Sequence, residues 1–312
     1  MATSSSSAAP QAKPLPTPQC WMWRGFPMTY QAMGTHGPAV VLIHGFGASW
    51  GHWRHNIPAM AETHRVYAID LIGFGGSAKP QPSAEIAYTF ETWSQQVTAF
   101  CQQVVGDSAF LVGNSIGCIV ALQAAVDAPD QVRGVAALNC SLRLLHDKRR
   151  AALPWYRRMG APVLQQVLGI RWLGHGFFKL LARRGTVTRI LKQAYASPEC
   201  VTGELVDLLL HPASDPGAAD VFLAFTRYSS GPLPEELLET LEGKDIPVLI
   251  LWGVDDPWEP VELGRKLAEF SCVEKFVEIE DAGHCPQDER PETVNAMIAQ
   301  WIQGQVVSVA ED

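Results

Sequence analysis

The chain has no pair of cysteines at C-x-x-C spacing. Its seven cysteines, Cys20, Cys101, Cys118, Cys140, Cys200, Cys272 and Cys285, are odd in number and scattered over 312 residues. That excludes a disulfide framework and a zinc knuckle, and it fits reduced thiols in an intracellular compartment. Nor is any apolar run long enough to cross a bilayer, because the longest, Ala109 to Val126, is broken by Asn114, Ser115 and Gln123. No internal repeat is visible. Residues 1–19, MATSSSSAAPQAKPLPTPQ, contain no acid and one base, Lys13. No apolar segment follows them, which argues against a secretory signal and leaves a disordered tail or the remnant of an organelle transit peptide.

Acids are also scarce in one internal segment. From Arg143 to Lys192 stand 12 of the 24 basic residues and a single acid, Asp147, a local charge of +11 in a chain of net charge −8. The remainder of the chain is therefore strongly acidic, which disfavours nucleic acid as a partner. Within the basic segment Trp155, Tyr156, Trp172, Phe177 and Phe178 interleave with the bases. This is the composition of helices that lie on an anionic membrane surface; the alternative is a solvated basic face whose aromatics pack inward.

What is present is an alternation. WMWRG and MTYQAMG read as two short antiparallel strands. AVVLIHG, RVYAID, AFLVGN, VRGVAALN, PVLILWG and VEKFVEIE are short runs rich in Val, Ile and Leu, as buried parallel strands are. Helical stretches, among them Thr89 to Val105, Ser115 to Ala128 and Pro291 to Gln303, separate them. The pattern predicts a mostly parallel, doubly wound α/β sheet. Between residues 141 and 244 the strands stop and the sequence is helical, which predicts a cap inserted over the carboxyl ends of the strands, where open α/β sheets bind ligands. The expected organisation is a tail over 1–19, a core over 20–140 and 245–304, a helical cap over 141–244, and a C-terminal tail over 305–312.

Four segments carry chemistry. Gly113-Asn114-Ser115-Ile116-Gly117 fits G-x-S-x-G between a strand and a helix, where a tight turn exposes a serine hydroxyl. A neutral serine needs a base held by an acid. LWGVDDPW offers Asp255 and Asp256 after one strand, with Asp256 the expected acid and Asp255 a turn residue. AGHCPQDERPE places His284 after the last strand, and all three groups fall at one edge of the sheet. HGFGAS, His44 to Ser49, supplies the backbone N–H of Phe46, to be paired with that of Ile116 as an oxyanion hole. It has no Gly-Lys-Ser/Thr, so it does not cradle phosphate. His52 and His55 lack metal-ligand spacing, Asp70 reads as a turn residue, and Cys285 as a packed thiol. Neither metal nor cofactor is expected.

With nucleophile, acid, base and oxyanion loop in this order, the chain resembles the α/β-hydrolase superfamily from about Trp21 to Ile302. WMWRGFPMTYQAMG, HRVYAIDLIGFGGS, DVFLAFTRYSSGPLPEELL, LWGVDDPWEPVELGR and DAGHCPQDERPETVN resemble the chlorophyll dephytylases of plants and algae, and more loosely the pheophytinases. The resemblance implies hydrolysis of the phytyl ester of chlorophyll to chlorophyllide and phytol, at the thylakoid membrane of the chloroplast, with Ser115, Asp256 and His284 as triad. One departure is Cys118, where relatives carry a second glycine. Three other readings stay open at this point: pheophytin as the substrate, carbon–carbon bond hydrolysis of a diketone, and a ligand receptor that scarcely turns over. Epoxide hydrolases and haloalkane dehalogenases place aspartate at the elbow, which Ser115 argues against.

Overall fold

The computed structural model describes residues 14–151 and 170–311. Eight strands form one sheet: β1 (Gln19–Trp23), β2 (Phe26–Met33), β3 (Ala39–Ile43), β4 (Arg65–Ile69), β5 (Ala109–Asn114), β6 (Val132–Leu138), β7 (Val248–Gly253) and β8 (Val273–Ile279). Their order is β1-β2-β4-β3-β5-β6-β7-β8. The first two pairings of the sheet are antiparallel and the remainder parallel. Every residue of β3, β5 and β7 is buried, which is why these strands read as unbroken apolar runs. Because β3 lies between β4 and β5, the chain reverses direction across the sheet there. The loops after β3 and β5 open a crevice at that switch point.

Helices cover both faces. On one side α1 (Phe90–Phe100) and α2 (Ile116–Asp127) bury Phe90, Trp93, Val97, Phe100, Ile119 and Leu122 against the strands. On the other, Trp53, Ile57 and Met60 meet Val294, Ile298 and Ile302 of the last helix. Two large apolar clusters, one per sheet face, hold the domain together, and their burial is the main driving force for folding.

Between β6 and β7 the described chain is helical throughout: α3 (Asp147–Ala151), α4 (Arg171–Leu181), α5 (Arg184–Ala194), α6 (Gly203–Ala213), α7 (Ala218–Thr226) and α8 (Pro234–Leu241), with a short helical turn at Pro198–Cys200. A small cluster of its own, including Leu191, Tyr195, Leu205 and Val206, ties α5 to α6 and reaches Cys285 of the core. The last of these helices departs from the expected cap over 141–244. Leu237, Leu238 and Leu241 place α8 in the main core cluster, against α2. Apolar residues at i, i+1 and i+4 form a stripe that only the sheet-side layer can bury.

The ends differ from expectation as well. The tail expected over 1–19 is ordered at its end: Gln19 pairs with Tyr30 in β1, Leu15 packs on the core, and Gln31 Nε2 donates to Pro16 C=O. The C-terminal tail expected over 305–312 is helical to Glu311, in α9 (Pro291–Glu311). The helix runs through Gly304, beyond which Gln305 Nε2 donates to Glu274 at 2.6 Å and Val306 packs on the sheet. Tertiary contact overrides the helix-weakening effect of one glycine, about 1 kcal/mol. Trp155 and Tyr156 lie outside the described residues.

Candidate active site

Ser115 sits between the end of β5 and the first turn of α2 at φ 56°, ψ −119°, a region that non-glycine residues rarely occupy. Backbone hydrogen bonds hold it there. Its N–H donates to Leu138 C=O at 3.0 Å, and its own C=O accepts from Cys118 N–H at 3.1 Å and Ser141 N–H at 3.2 Å. The two flanking glycines are required by close approach. A Cβ on Gly113 would lie 2.4 Å from Gly117 C and O, and one on Gly117 would lie 2.4 Å from Ile43 C=O. These are backbone atoms, which cannot swing aside. The departure at Cys118 has a use, since its buried thiol donates to Gly113 C=O at 3.2 Å.

The acid and base meet across the loops after β7 and β8. His284 Nδ1 donates to Asp256 Oδ2 at 2.7 Å. That carboxylate is buried and has four donors: His284 and Asn139 Nδ2 (2.7 Å) on Oδ2, and the backbone N–H groups of Trp258 (2.8 Å) and Glu259 (3.1 Å) on Oδ1. Asp255, its neighbour, is exposed. With Nδ1 donating, the other ring nitrogen is left to accept a proton. The histidine's backbone is held from both sides, its N–H donating to Ala194 C=O at 2.8 Å and its C=O accepting from Asn114 Nδ2 at 3.0 Å. The Trp258 ring lies 4.9 Å from the imidazole.

A cavity of about 420 Å³ contains both Ser115 and His284 in its wall. The serine hydroxyl has no hydrogen-bond partner among the described residues, so the serine–histidine contact is open in this state. Phe46 forms part of the same wall, with its ring stacked on Phe225 at 5.0 Å. Its N–H has no acceptor among the described residues, and Ile116, as the first residue of α2, has none within its helix. The far wall is apolar and comes from the cap: Phe178 and Leu181 of α4, Val187 and Leu191 of α5, Leu209 of α6. A second cavity, of about 600 Å³, adjoins it and is lined by Phe90, Ile116, Phe225, Tyr228 and Trp258 among others. Ser115 and His284 thus line one of two neighbouring, largely apolar spaces.

The remaining polar residues have structural partners. His44 accepts Leu71 N–H on Nε2 and donates from Nδ1 to Gly45 C=O, and burial pulls its pKa to about 4. Asp70 accepts Trp50 N–H at 2.6 Å and Gly76 N–H at 2.7 Å, fixing two loops at the sheet edge, and burial pushes its carboxyl up to about 7. His52 belongs to a buried chain that the sequence does not reveal. The Tyr195 hydroxyl accepts from His52 Nε2 (2.9 Å) and donates to Asp288 Oδ2 (2.8 Å), while Arg54 pairs with Asp288 at 2.8 Å. Burial holds His52 near pKa 4, so it stays neutral beside the cavity. Asn114 and Asn139, both braces of the acid–base pair, also escape a sequence reading. The only signal for either is an asparagine directly after a buried strand.

The α/β-hydrolase fold family model matches residues 38–291. The chain belongs to this family. Among its relatives is the chloroplastic pheophytinase of Arabidopsis thaliana, 27% identical over 299 residues, which cover 85% of this chain and 61% of that protein. The chain thus spans about three fifths of the length of this relative. An uncharacterized hydrolase of Bacillus subtilis (strain 168), YugF, is 25% identical over 263 residues, 84% of this chain and 89% of that protein. Of solved structures, a serine hydrolase involved in carbazole degradation, CarC, superposes with a TM-score of 0.72 at 20% identity, covering 92% of this chain and 98% of that one. That likeness extends to the fold alone. Within that family this chain carries serine at the elbow.

Proposed function

We propose that this α/β-hydrolase is a serine carboxylic-ester hydrolase that removes the phytyl chain from a chlorophyll-type pigment at the thylakoid surface of the chloroplast. The observation that carries the reading is a strained Ser115 that shares an apolar cavity with a His284 already bonded to Asp256. His284 takes the Ser115 proton as Oγ attacks the ester carbonyl, and Asp256 holds the imidazole and stabilises its charged form. The N–H groups of Phe46 and Ile116 receive the oxyanion. The imidazolium then protonates the departing phytol oxygen, and water activated by the same histidine frees the pigment acid from Ser115. No step draws on a metal or a cofactor.

The cap supports the pigment and the membrane together. A prenyl-type tail gains about 0.8 kcal/mol per CH₂ on leaving water but almost nothing on leaving lipid for an apolar pocket. The enzyme must therefore meet the bilayer with a continuous apolar path. Helices α4 and α5 provide both surfaces of such a path. Phe178, Leu181, Val187 and Leu191 face the cavity, while Trp172 (74% exposed), Phe177, Leu180 and Ile190 are exposed. Among the exposed residues of these helices and the turn between them, Lys179, Arg183, Arg189 and Lys192 have no ion-pair partner among the described residues, whereas Arg171 pairs with Asp220 and Arg184 with Asp207. A basic residue near an anionic surface contributes about 1 kcal/mol. Charge reversal of Lys179, Arg183 and Arg189 together lowers partitioning onto vesicles containing anionic lipid by about a hundredfold or more, with little change on neutral vesicles. Equal loss on both vesicle types would remove the electrostatic part of this reading.

Product analysis tests the chemistry. Purified enzyme with detergent-dispersed chlorophyll and pheophytin, assayed side by side, yields phytol and the corresponding pigment acid. Pheophytin enters as a second substrate reading because a relative of this chain is a pheophytinase. The faster of the two reactions identifies the preferred pigment, and release of neither acid would sink the proposal.

A further inference from the structure

Two cavities adjoin, one of them with Ser115 in its wall, and Glu259 stands at their junction. Phe46, Trp258 and Glu259 are the residues shared by the walls of the 420 Å³ and 600 Å³ cavities, and only Glu259 among them is ionisable. Its side chain is buried, with the residue 9% exposed. Oε1 accepts from Ser141 Oγ at 3.1 Å, and the Leu142 backbone N–H faces the carboxyl. Oε2 has no partner among the described residues.

Among the described residues no cation pairs with Glu259. From the loop after β7, Asp256 faces Glu259 through its Oδ1, which accepts Glu259 N–H at 3.1 Å. His284 approaches from the loop after β8, and the Cys140 thiol from the loop after β6. Arg143 and His146 line the 600 Å³ cavity with Glu259, but the Arg143 guanidinium donates to the C=O groups of Pro232, Tyr228 and Ser230 and its backbone N–H to Ser141 Oγ at 3.4 Å, while His146 Nε2 bonds Gly231 C=O at 3.0 Å. Burial pushes the Glu259 carboxyl up to about 7, so the acid is mostly neutral in mildly acidic solution and ionised in alkaline solution. In the neutral form Oε1, which accepts from Ser141, acts as the carbonyl. Oε2 then carries a hydroxyl that donates to nothing among the described residues. A buried donor without an acceptor is rare in a native fold and calls for a partner from outside.

The geometry points to Glu259 as a substrate-binding acid, donating a hydrogen bond from Oε2 to a carbonyl oxygen on the acid half of the ester. That half occupies the larger cavity, while the alkyl half fills the smaller one, whose cap side adds Leu181, Val187, Leu191 and Leu209. The inference rests on the ester-hydrolase reading above. It assigns to Glu259 a choice that the triad cannot make, between an ester whose acid half carries a further carbonyl and one whose acid half does not.

Two variants test it. Glu259→Gln keeps a donor in place and cannot ionise, and Glu259→Leu removes donor and charge. Steady-state kinetics are followed from pH 6 to pH 8.5 with pheophytin and chlorophyll in detergent, and with p-nitrophenyl butyrate, whose acid half has no second carbonyl; thermal midpoints establish that each variant is folded. The wild-type KM for the pigment ester rises about tenfold across this range, the equivalent of one neutral hydrogen bond, and the rise is absent in Glu259→Gln. Glu259→Leu loses about tenfold more in kcat/KM on the pigment than on p-nitrophenyl butyrate. A wild-type pH profile in Glu259→Gln, or equal losses on both esters in Glu259→Leu, would overturn the assignment and leave Glu259 as a support for Asp256. Wild-type enzyme that turns over none of these esters would take down the hydrolase reading and this one with it.

Discussion

Ser115→Ala lowers pigment-ester turnover by about four to six orders of magnitude, the range seen when a triad nucleophile is removed. The folded enzyme loses nothing else, because the hydroxyl has no hydrogen-bond partner among the described residues. The thermal midpoint of the variant therefore stays within about 2 °C of the wild type, the shift expected for a surface-scale change of about 0.5 kcal/mol. Ser115→Gly separates function from stability more sharply. The serine is held at φ 56° by the turn, a conformation glycine adopts freely. Relief of that strain stabilises the fold by about 1 kcal/mol while activity is abolished. Chromatographic detection of the pigment acid and calorimetry of the same samples check both outcomes. Pigment-acid formation by Ser115→Ala within a factor of ten of wild type would refute the nucleophile.

Asp256→Asn has the second large effect, a fall of about 10⁴-fold in kcat. The reason lies in the four donors that converge on this carboxylate, two on each oxygen. An amide has one acceptor oxygen. If its oxygen meets the Trp258 and Glu259 N–H groups, its NH₂ faces His284 Nδ1 and Asn139 Nδ2. The imidazole must then accept on Nδ1, its proton moves to Nε2, and it can no longer take a proton from Ser115. If the amide is reversed, two backbone N–H groups face a donor. Either arrangement leaves a buried donor unmatched, which destabilises the protein by about 1–3 kcal/mol. Single-turnover rates and denaturant midpoints measure the two consequences separately. Unimpaired catalysis in Asp256→Asn would mean that the 2.7 Å contact with His284 is structural only.

A pattern in chain separation explains which groups are legible before folding. The nucleophile motif spans five neighbouring residues, and its strand and helix flank it directly. The braces do not behave in this way. Asn139 reaches Gly253 across 114 positions, Asn114 reaches His284 across 170, and Tyr195 reaches Asp288 across 93. In one dimension each is an ordinary polar residue beside a turn. Glu259 is a similar case: the sequence shows an acid between Trp258 and Pro260, and burial is what raises its carboxyl to about 7.

Sheet and elbow were determined by the sequence itself. Parallel strands buried on both faces must be continuous apolar runs of about five to seven residues, and that requirement is local. The same holds for the glycines at 113 and 117, which close backbone approach leaves without alternative. Only the tertiary structure decided where the outer elements end, since the helix continues past Gly304 and α8 joins the core through contacts that no local propensity encodes. It alone also decided what surrounds each ionisable group. Burial and hydrogen-bond partners set the charge of an acid or imidazole, and both belong to the folded arrangement rather than to the residue.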